Sequence, residues 1–177
     1  MGVLLRGVNI GKRRLPMAAL RDGLTAAGAT DVATHVQSGN VVLVPPEAAA
    51  LRTRGWLEET IGSIAGFEVP VVVRSAAEMA AVVEHNPFPG AGGTRLHVLF
   101  CDPAPPADLL DGVDLDAAAP EAATLVGAEV YLHLPDGMGR AALPAALERP
   151  LRRAGVTVTA RNWNTVERLR DMSGEAR

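Results

Sequence analysis

One order of strands and helices is written twice along this chain, with an offset of about 93 residues, and that repeat limits the folds open to it. Residues 3–7 are a short apolar run that stops in the glycine-rich stretch 7–11, as a strand does on entering a loop. Pro16 then takes a favoured first helical position, and Met17, Leu20 and Leu24 recur at helical spacing until Gly28. Residues 31–37 and 40–44, joined through Ser38 and Gly39, predict a β-hairpin. Leu51, Leu57, Ile61 and Ile64 mark a second helix ending before Gly66, and residues 69–74 a fourth strand. This is the order βαββαβ. An extra helix follows from Ser75, with Glu78 placed to complete a capping box and Met79, Val82 and Val83 supplying an apolar face.

From Arg95 the order starts again. Strand 96–101, a short helix 106–110, strands 123–126 and 129–134 around Gly127, helix 141–153, strand 156–159 and a last helix from Asn162 follow in turn. The junctions agree too, since Arg74-Ser75 precedes the extra helix of the first half and Arg161-Asn162 that of the second. The expected fold is α+β: duplicated ferredoxin-like units, each βαββαβ plus an extra helix, packed into one body. Residues 1–90 and 95–177 are the expected repeats.

Composition narrows the function classes. Hydrophobic residues make up 48% and charged residues 21%, ordinary globular usage, so a disordered chain is excluded. Cys101 is the single cysteine, which rules out an internal disulfide and a cysteine-rich zinc site and suits a cytoplasmic location. The apolar start of the chain stops at Arg6, too soon for a secretory core or a spanning helix, so no membrane partner is expected. The net charge of −3 argues against a protein that coats nucleic acid through overall positive charge. That total hides an uneven distribution. Arg6, Lys12, Arg13, Arg14 and Arg21 face no acid within the first 21 residues, whereas residues 96–139 carry eight acids and no Lys or Arg. Residues 140–170 are basic again, with seven arginines against Glu148 and Glu167.

Three polar segments stand at expected strand–helix or strand–strand junctions, where function concentrates. The loop 7–14 combines glycines with Asn9, Lys12, Arg13 and Arg14, a composition that lets backbone N–H groups and mobile charge converge on an anion. Its spacing is not that of a P-loop, because the two glycines are one residue too close and Arg13 follows Lys12. Gln37, Ser38 and Asn40 flank the hairpin turn and suit a base edge or an amide. Arg161, Asn162 and Asn164 surround the start of the last helix. No catalytic residue is nominated: His35, His97 and His133 fall in strands, His85 ends a helix, and Cys101 ends a strand as an expected buried thiol. The acids 108–116 lack the spacing of a calcium loop, so neither a metal nor a cofactor is expected.

The stretches Leu4-Leu5-Arg6-Gly7-Val8-Asn9-Ile10-Gly11, Gln37-Ser38-Gly39-Asn40, Asn86-Pro87-Phe88, residues 131–139 and Arg161-Asn162-Trp163-Asn164-Thr165 resemble, in order and spacing, the bacterial family named domain of unknown function 1697. The resemblance implies an α+β fold of two ferredoxin-like repeats and no established activity. The chain departs from the family pattern at Lys12, where members usually carry a second glycine, and at Ala160, where many carry threonine.

The leading reading is a cytoplasmic protein that binds an anionic ligand such as nucleotide or nucleic-acid phosphate. Arg6, Lys12 and Arg161 would meet the charge, Gln37, Ser38, Asn40 and Asn164 the polar edges, and the Asn9 loop and Asn162 helix start would give N–H donors. Two alternatives remain open: a small enzyme acting on a polar metabolite, and a structural or self-association protein with no small ligand.

Overall fold

Four consecutive apolar or small residues, Gly2-Val3-Leu4-Leu5, suit a strand buried on both faces, and they form the inner strand β1 (Gly2–Leu5) of the first sheet. The computed structural model describes residues 1–175, and among them lie two four-stranded antiparallel sheets and five α-helices. The chain divides into two compact units, Met1–Ala80 with the chain from Arg168 onward, and Ala81–Glu167.

In the first unit β1 is followed by α1 (Met17–Ala26), β2 (Thr30–His35), β3 (Asn40–Val44), α2 (Thr53–Ala65) and β4 (Val71–Arg74). The sheet order is β2-β3-β1-β4, every pair antiparallel. One sheet face, with Val3, Leu5, Val41, Leu43 and Val71, meets Leu20 and Leu24 of α1 and Leu57 and Ile61 of α2. Those helix residues recur three to four positions apart, the spacing that places them on one stripe. Helix α2 stops where Gly66 takes a left-handed φ of 76°.

Helix α3 (Ala76–Glu84) opens with the reciprocal capping box read from the sequence. The Ser75 N–H donates to the Glu78 carboxylate at 2.7 Å, and the Glu78 N–H to Ser75 Oγ at 3.1 Å. The helix runs across the division between the units.

The second unit contains β5 (Leu96–Asp102), β6 (Ala122–Val126), β7 (Glu129–His133), α4 (Leu143–Arg153) and β8 (Thr157–Asn162), and then α5 (Trp163–Glu175) begins. The sheet order is β6-β7-β5-β8, again antiparallel throughout. Leu99, Cys101, Val130 and Leu132 meet Leu143, Leu147 and Leu151 of α4. On the other face Tyr131 is 1% exposed and its hydroxyl donates to the Val82 carbonyl at 2.7 Å, which ties the end of α3 to this sheet. Burial and the neighbouring Glu129 carboxylate push that phenol well above its usual range.

The helix expected over 106–110 does not form. Residues 106–121 make successive i to i+3 turns instead, through Leu109 N–H to Pro106, Asp111 N–H to Asp108 and Val113 N–H to Leu110. Pro103 and Pro105 just before the segment, Pro106 at its start and one buried leucine within it, Leu109, give it no apolar helical stripe to bury.

β4 and β8 are edge strands of their sheets, and on each a side chain bonds an outward backbone group. The Arg6 N–H bonds the Pro70 carbonyl, so in β4 the peptide groups of Val71 and Val73 point outward. The Val71 N–H meets the Glu58 carboxylate at 3.3 Å, and the Val73 carbonyl accepts from Arg74 Nη1 at 2.9 Å. In the second unit the Cys101 N–H bonds Ala128 on the β7 side, which leaves the Ala160 carbonyl of β8 outward. Arg161 Nη1 donates to it at 2.7 Å.

Candidate functional site

The loop between β1 and α1 is set by three left-handed residues, Gly7, Asn9 and Gly11, at φ of 69°, 56° and 56°. Asparagine tolerates that region because its short amide bonds locally, and Asn9 does so three times. Its Oδ1 accepts from the Leu15 N–H at 2.9 Å, and its Nδ2 donates to the Leu15 carbonyl at 3.0 Å and the Gln37 carbonyl at 2.6 Å. The side chain therefore closes its own loop and fastens it to the hairpin tip.

The tip is fastened at two further points. The Leu5 N–H donates to the Gly39 carbonyl at 2.8 Å, and Asn40 Nδ2 donates to Ser38 Oγ and to the His35 carbonyl, each at 3.0 Å. Gly39 has φ of 77°, and a Cβ there would lie 2.6 Å from Val8 and 2.7 Å from Leu5, so only glycine fits. Arg13 completes the frame. Its Nε donates to the Gly7 carbonyl at 2.8 Å, its Nη2 to the Glu68 carbonyl, and its guanidinium lies 4.5 Å above the Phe67 ring. The sequence reading treated Arg13 as mobile charge, and these three contacts hold it in place.

What this frame presents to solvent is cationic. The side chains of Arg6, Lys12 and Arg14 are exposed and make no hydrogen bond or ion pair among the described residues. The Gln37 side chain is likewise exposed and unbonded, while Ser38 is exposed with its hydroxyl on Asn40. Two large apolar residues flank the joint: Ile10, next to Asn9, is 67% exposed, and Val36, next to Gln37, is 54% exposed with a left-handed φ of 50°. A β-branched residue at that φ is a strained outlier. The sequence analysis did not single out Ile10, although an isoleucine in a glycine-rich polar loop was the signal available for it.

Arg161, Asn162 and Asn164 lie in the second unit. Arg161 is 7% exposed and its Nη1 donates to Thr159 Oγ1 at 2.6 Å as well as to Ala160. Burial pushes its guanidinium down to about 10, still charged at neutral pH. Asn162 caps α5, its Oδ1 accepting from the Thr165 N–H at 3.0 Å. Asn164 is exposed on the first turn of α5, beside Gly93. Arg6, Asn9, Lys12, Gln37, Ser38 and Asn40 thus share one unit, and the other three expected site residues share the other.

His97 is a buried polar residue that the sequence reading left as structural. It is 8% exposed, its Nδ1 has no hydrogen-bond partner, and burial holds its pKa below 6.5. No group of three or more His, Cys, Asp or Glu among the described residues is arranged to hold a metal ion. No described helix is long and apolar enough to cross a membrane.

A family model described as "Protein of unknown function (DUF1697)" matches residues 2–131. The chain belongs to that family. Among solved structures, a conserved bacterial protein from Streptococcus pneumoniae is similar to this DUF1697 chain with 22% identity and a TM-score of 0.69, covering 97% of each chain. At that identity the likeness shows the fold. No curated protein matches the chain. The matched stretch holds the whole β1–α1 loop and hairpin tip, and Arg161, Asn162 and Asn164 lie beyond its end.

Proposed function

We propose that this DUF1697 protein binds an anionic ligand, a nucleotide or nucleic-acid phosphate, at the loop between β1 and α1. The observation that carries the reading is the contrast between Arg13 and its neighbours. Arg13 is spent on the frame, whereas Arg6, Lys12 and Arg14 surround a pinned backbone with no partner of their own among the described residues. Three unpaired cations on a pre-formed loop meet a phosphate with little ordering cost. Gln37, beside them on the fastened hairpin tip, is placed for a polar edge of the ligand. Asn9, Asn40 and Arg161 are assigned to holding the fold, since each is bonded within its own unit.

We also propose that the sequence is two copies of one ferredoxin-like unit, with residues 1–90 and 95–177 as the repeats. Numbered within its own unit, each sheet runs 2-3-1-4, and each last strand carries an arginine followed directly by a helix cap. A cytoplasmic location is consistent with the single, buried Cys101.

The test is a thermal-shift screen at low and high salt against inorganic phosphate, mononucleotides, short oligonucleotides and organic acids. A ligand at 100 times its dissociation constant adds about 2.7 kcal/mol of stability. A shift with phosphate-bearing compounds that shrinks in high salt is expected. The absence of any shift would leave the purely structural reading, which the bonds of Arg161, Asn40 and Asn162 favour.

A further inference from the structure

A second polar groove, in the unit Ala81–Glu167, lies between α4 and the turn-rich segment after β5. Its volume is about 500 Å3, within the range of small-molecule sites. Arg149 and Arg153 line it from one face of α4, four residues apart, a spacing that makes them neighbours on the helix surface. Asp108 lines it as well. Opposite charges sharing one groove would ordinarily pair, yet Asp108, Arg149 and Arg153 have no ion pair or side-chain hydrogen bond with any described residue. Neither guanidinium therefore lies within 4.0 Å of the Asp108 carboxylate, and all three side chains are exposed and open to a ligand. Pro150 adds an acceptor: it has no N–H, so the Ala146 carbonyl on the same groove lacks its usual helical donor. The wall between these groups is short and apolar, with Pro106 and Leu109.

We propose that this groove binds a small amino dicarboxylate, a compound with two carboxylates and one ammonium group. Two guanidinium forks match two carboxylates, Asp108 and the Ala146 carbonyl match the ammonium, and the ligand's single net negative charge answers the groove's single net positive one. A plain dicarboxylate satisfies the arginines and leaves Asp108 repelling it. A phosphate likewise brings no ammonium group to Asp108 and is repelled by it.

The experiment titrates the whole protein with glutamate and aspartate, and with glutarate and succinate as analogues lacking the ammonium, followed by calorimetry and by the Nε–H signals of the arginines. Saturable binding of an amino dicarboxylate is expected, at least tenfold tighter than its analogue without the ammonium. Arg149→Ala with Arg153→Ala removes binding of both. Asp108→Asn erases the preference for the ammonium compound while the analogue still binds. All three residues are exposed, and an unchanged melting temperature confirms that the variants fold. No saturation with glutamate or aspartate at millimolar concentration, equal affinity for glutamate and glutarate, or unchanged binding in the double arginine variant would overturn the proposal. The site shares no residue with the β1–α1 loop, so the two fail independently.

Discussion

Arg74 and Arg161 stand in the same relation to their sheets: each is 7% exposed, lies at or next to the end of the edge strand beside the inner strand, and donates Nη1 to the outward carbonyl of the residue before it. The bonds are 2.9 Å to Val73 and 2.7 Å to Ala160. Each arginine is followed by the residue that caps the next helix, Ser75 or Asn162. Arg74→Ala and Arg161→Ala should each destabilise the protein by about 2 kcal/mol, because an edge carbonyl loses a charged donor. Lysine should not restore Arg161, whose Nη1 also bonds Thr159 Oγ1. Urea unfolding midpoints of the four variants Arg74→Ala, Arg74→Lys, Arg161→Ala and Arg161→Lys decide this, and a wild-type midpoint for either alanine variant contradicts it.

Gly39→Ala should cost about 1–3 kcal/mol, since the new methyl meets Leu5 and Val8 at under 3.0 Å and the backbone is left-handed. Asn9→Ala removes three hydrogen bonds and should cost about as much. Because both changes act on the joint between loop and hairpin, their double variant should cost less than the two single costs added. Additive costs would show that the joint is not one unit.

The capping box gives a pH-sensitive contribution. Hydrogen bonding from the Ser75 N–H is the largest cause of a Glu78 pKa below 4.5. A depressed carboxyl stabilises the fold above its unfolded pKa, and that contribution is lost as the pH falls through the folded value. Ser75→Ala should cost about 1 kcal/mol at neutral pH. Glu78→Gln should reduce the loss of stability on acidification below pH 4.5. Equal acid sensitivity in wild type and Glu78→Gln would count against this account.

His97 acts in the next window up. Its pKa is lowered by burial, so below pH 6.5 the unfolded chain takes up a proton that the folded chain refuses. Stability should therefore fall from pH 6.5 downward until the folded pKa is passed, and lie level above pH 6.5. His97→Gln should flatten that slope in denaturation midpoints measured from about pH 5 to about pH 8. A slope unchanged by the substitution would assign it to other groups.

Local features were legible in the sequence, and distant pairings were not. The capping box at Ser75 and Glu78, the stop at Gly66 and the hairpin through Ser38 and Gly39 depend on neighbours within a few residues, and all three form. Asn9 and Arg13 show the other case. Asn9 reaches Gln37 across 28 residues and Arg13 reaches Glu68 across 55, contacts that only the folded sheet creates. Composition alone placed both among candidate ligand groups. Arg161 belongs with them, because its burial follows from the position of β8 at a sheet edge rather than from the residues beside it. The segment 106–110 departs from its expected helix for a local reason: Pro106, the prolines before it and Asp108 carry turn chemistry, and the repeat of the first half suggested a helix there.

The central claim is that unpaired cations on the β1–α1 loop meet a phosphate, and calorimetric titration with mononucleotides and inorganic phosphate, at two salt concentrations, tests it most directly. The comparison is wild type against a Lys12→Ala, Arg14→Ala double variant, whose substituted side chains are exposed and bonded to nothing described. The account predicts wild-type binding that weakens with salt and is at least tenfold weaker in the double variant, with the melting temperature unchanged. Equal affinity in the two proteins, or no binding of any phosphate compound to wild type, would contradict it.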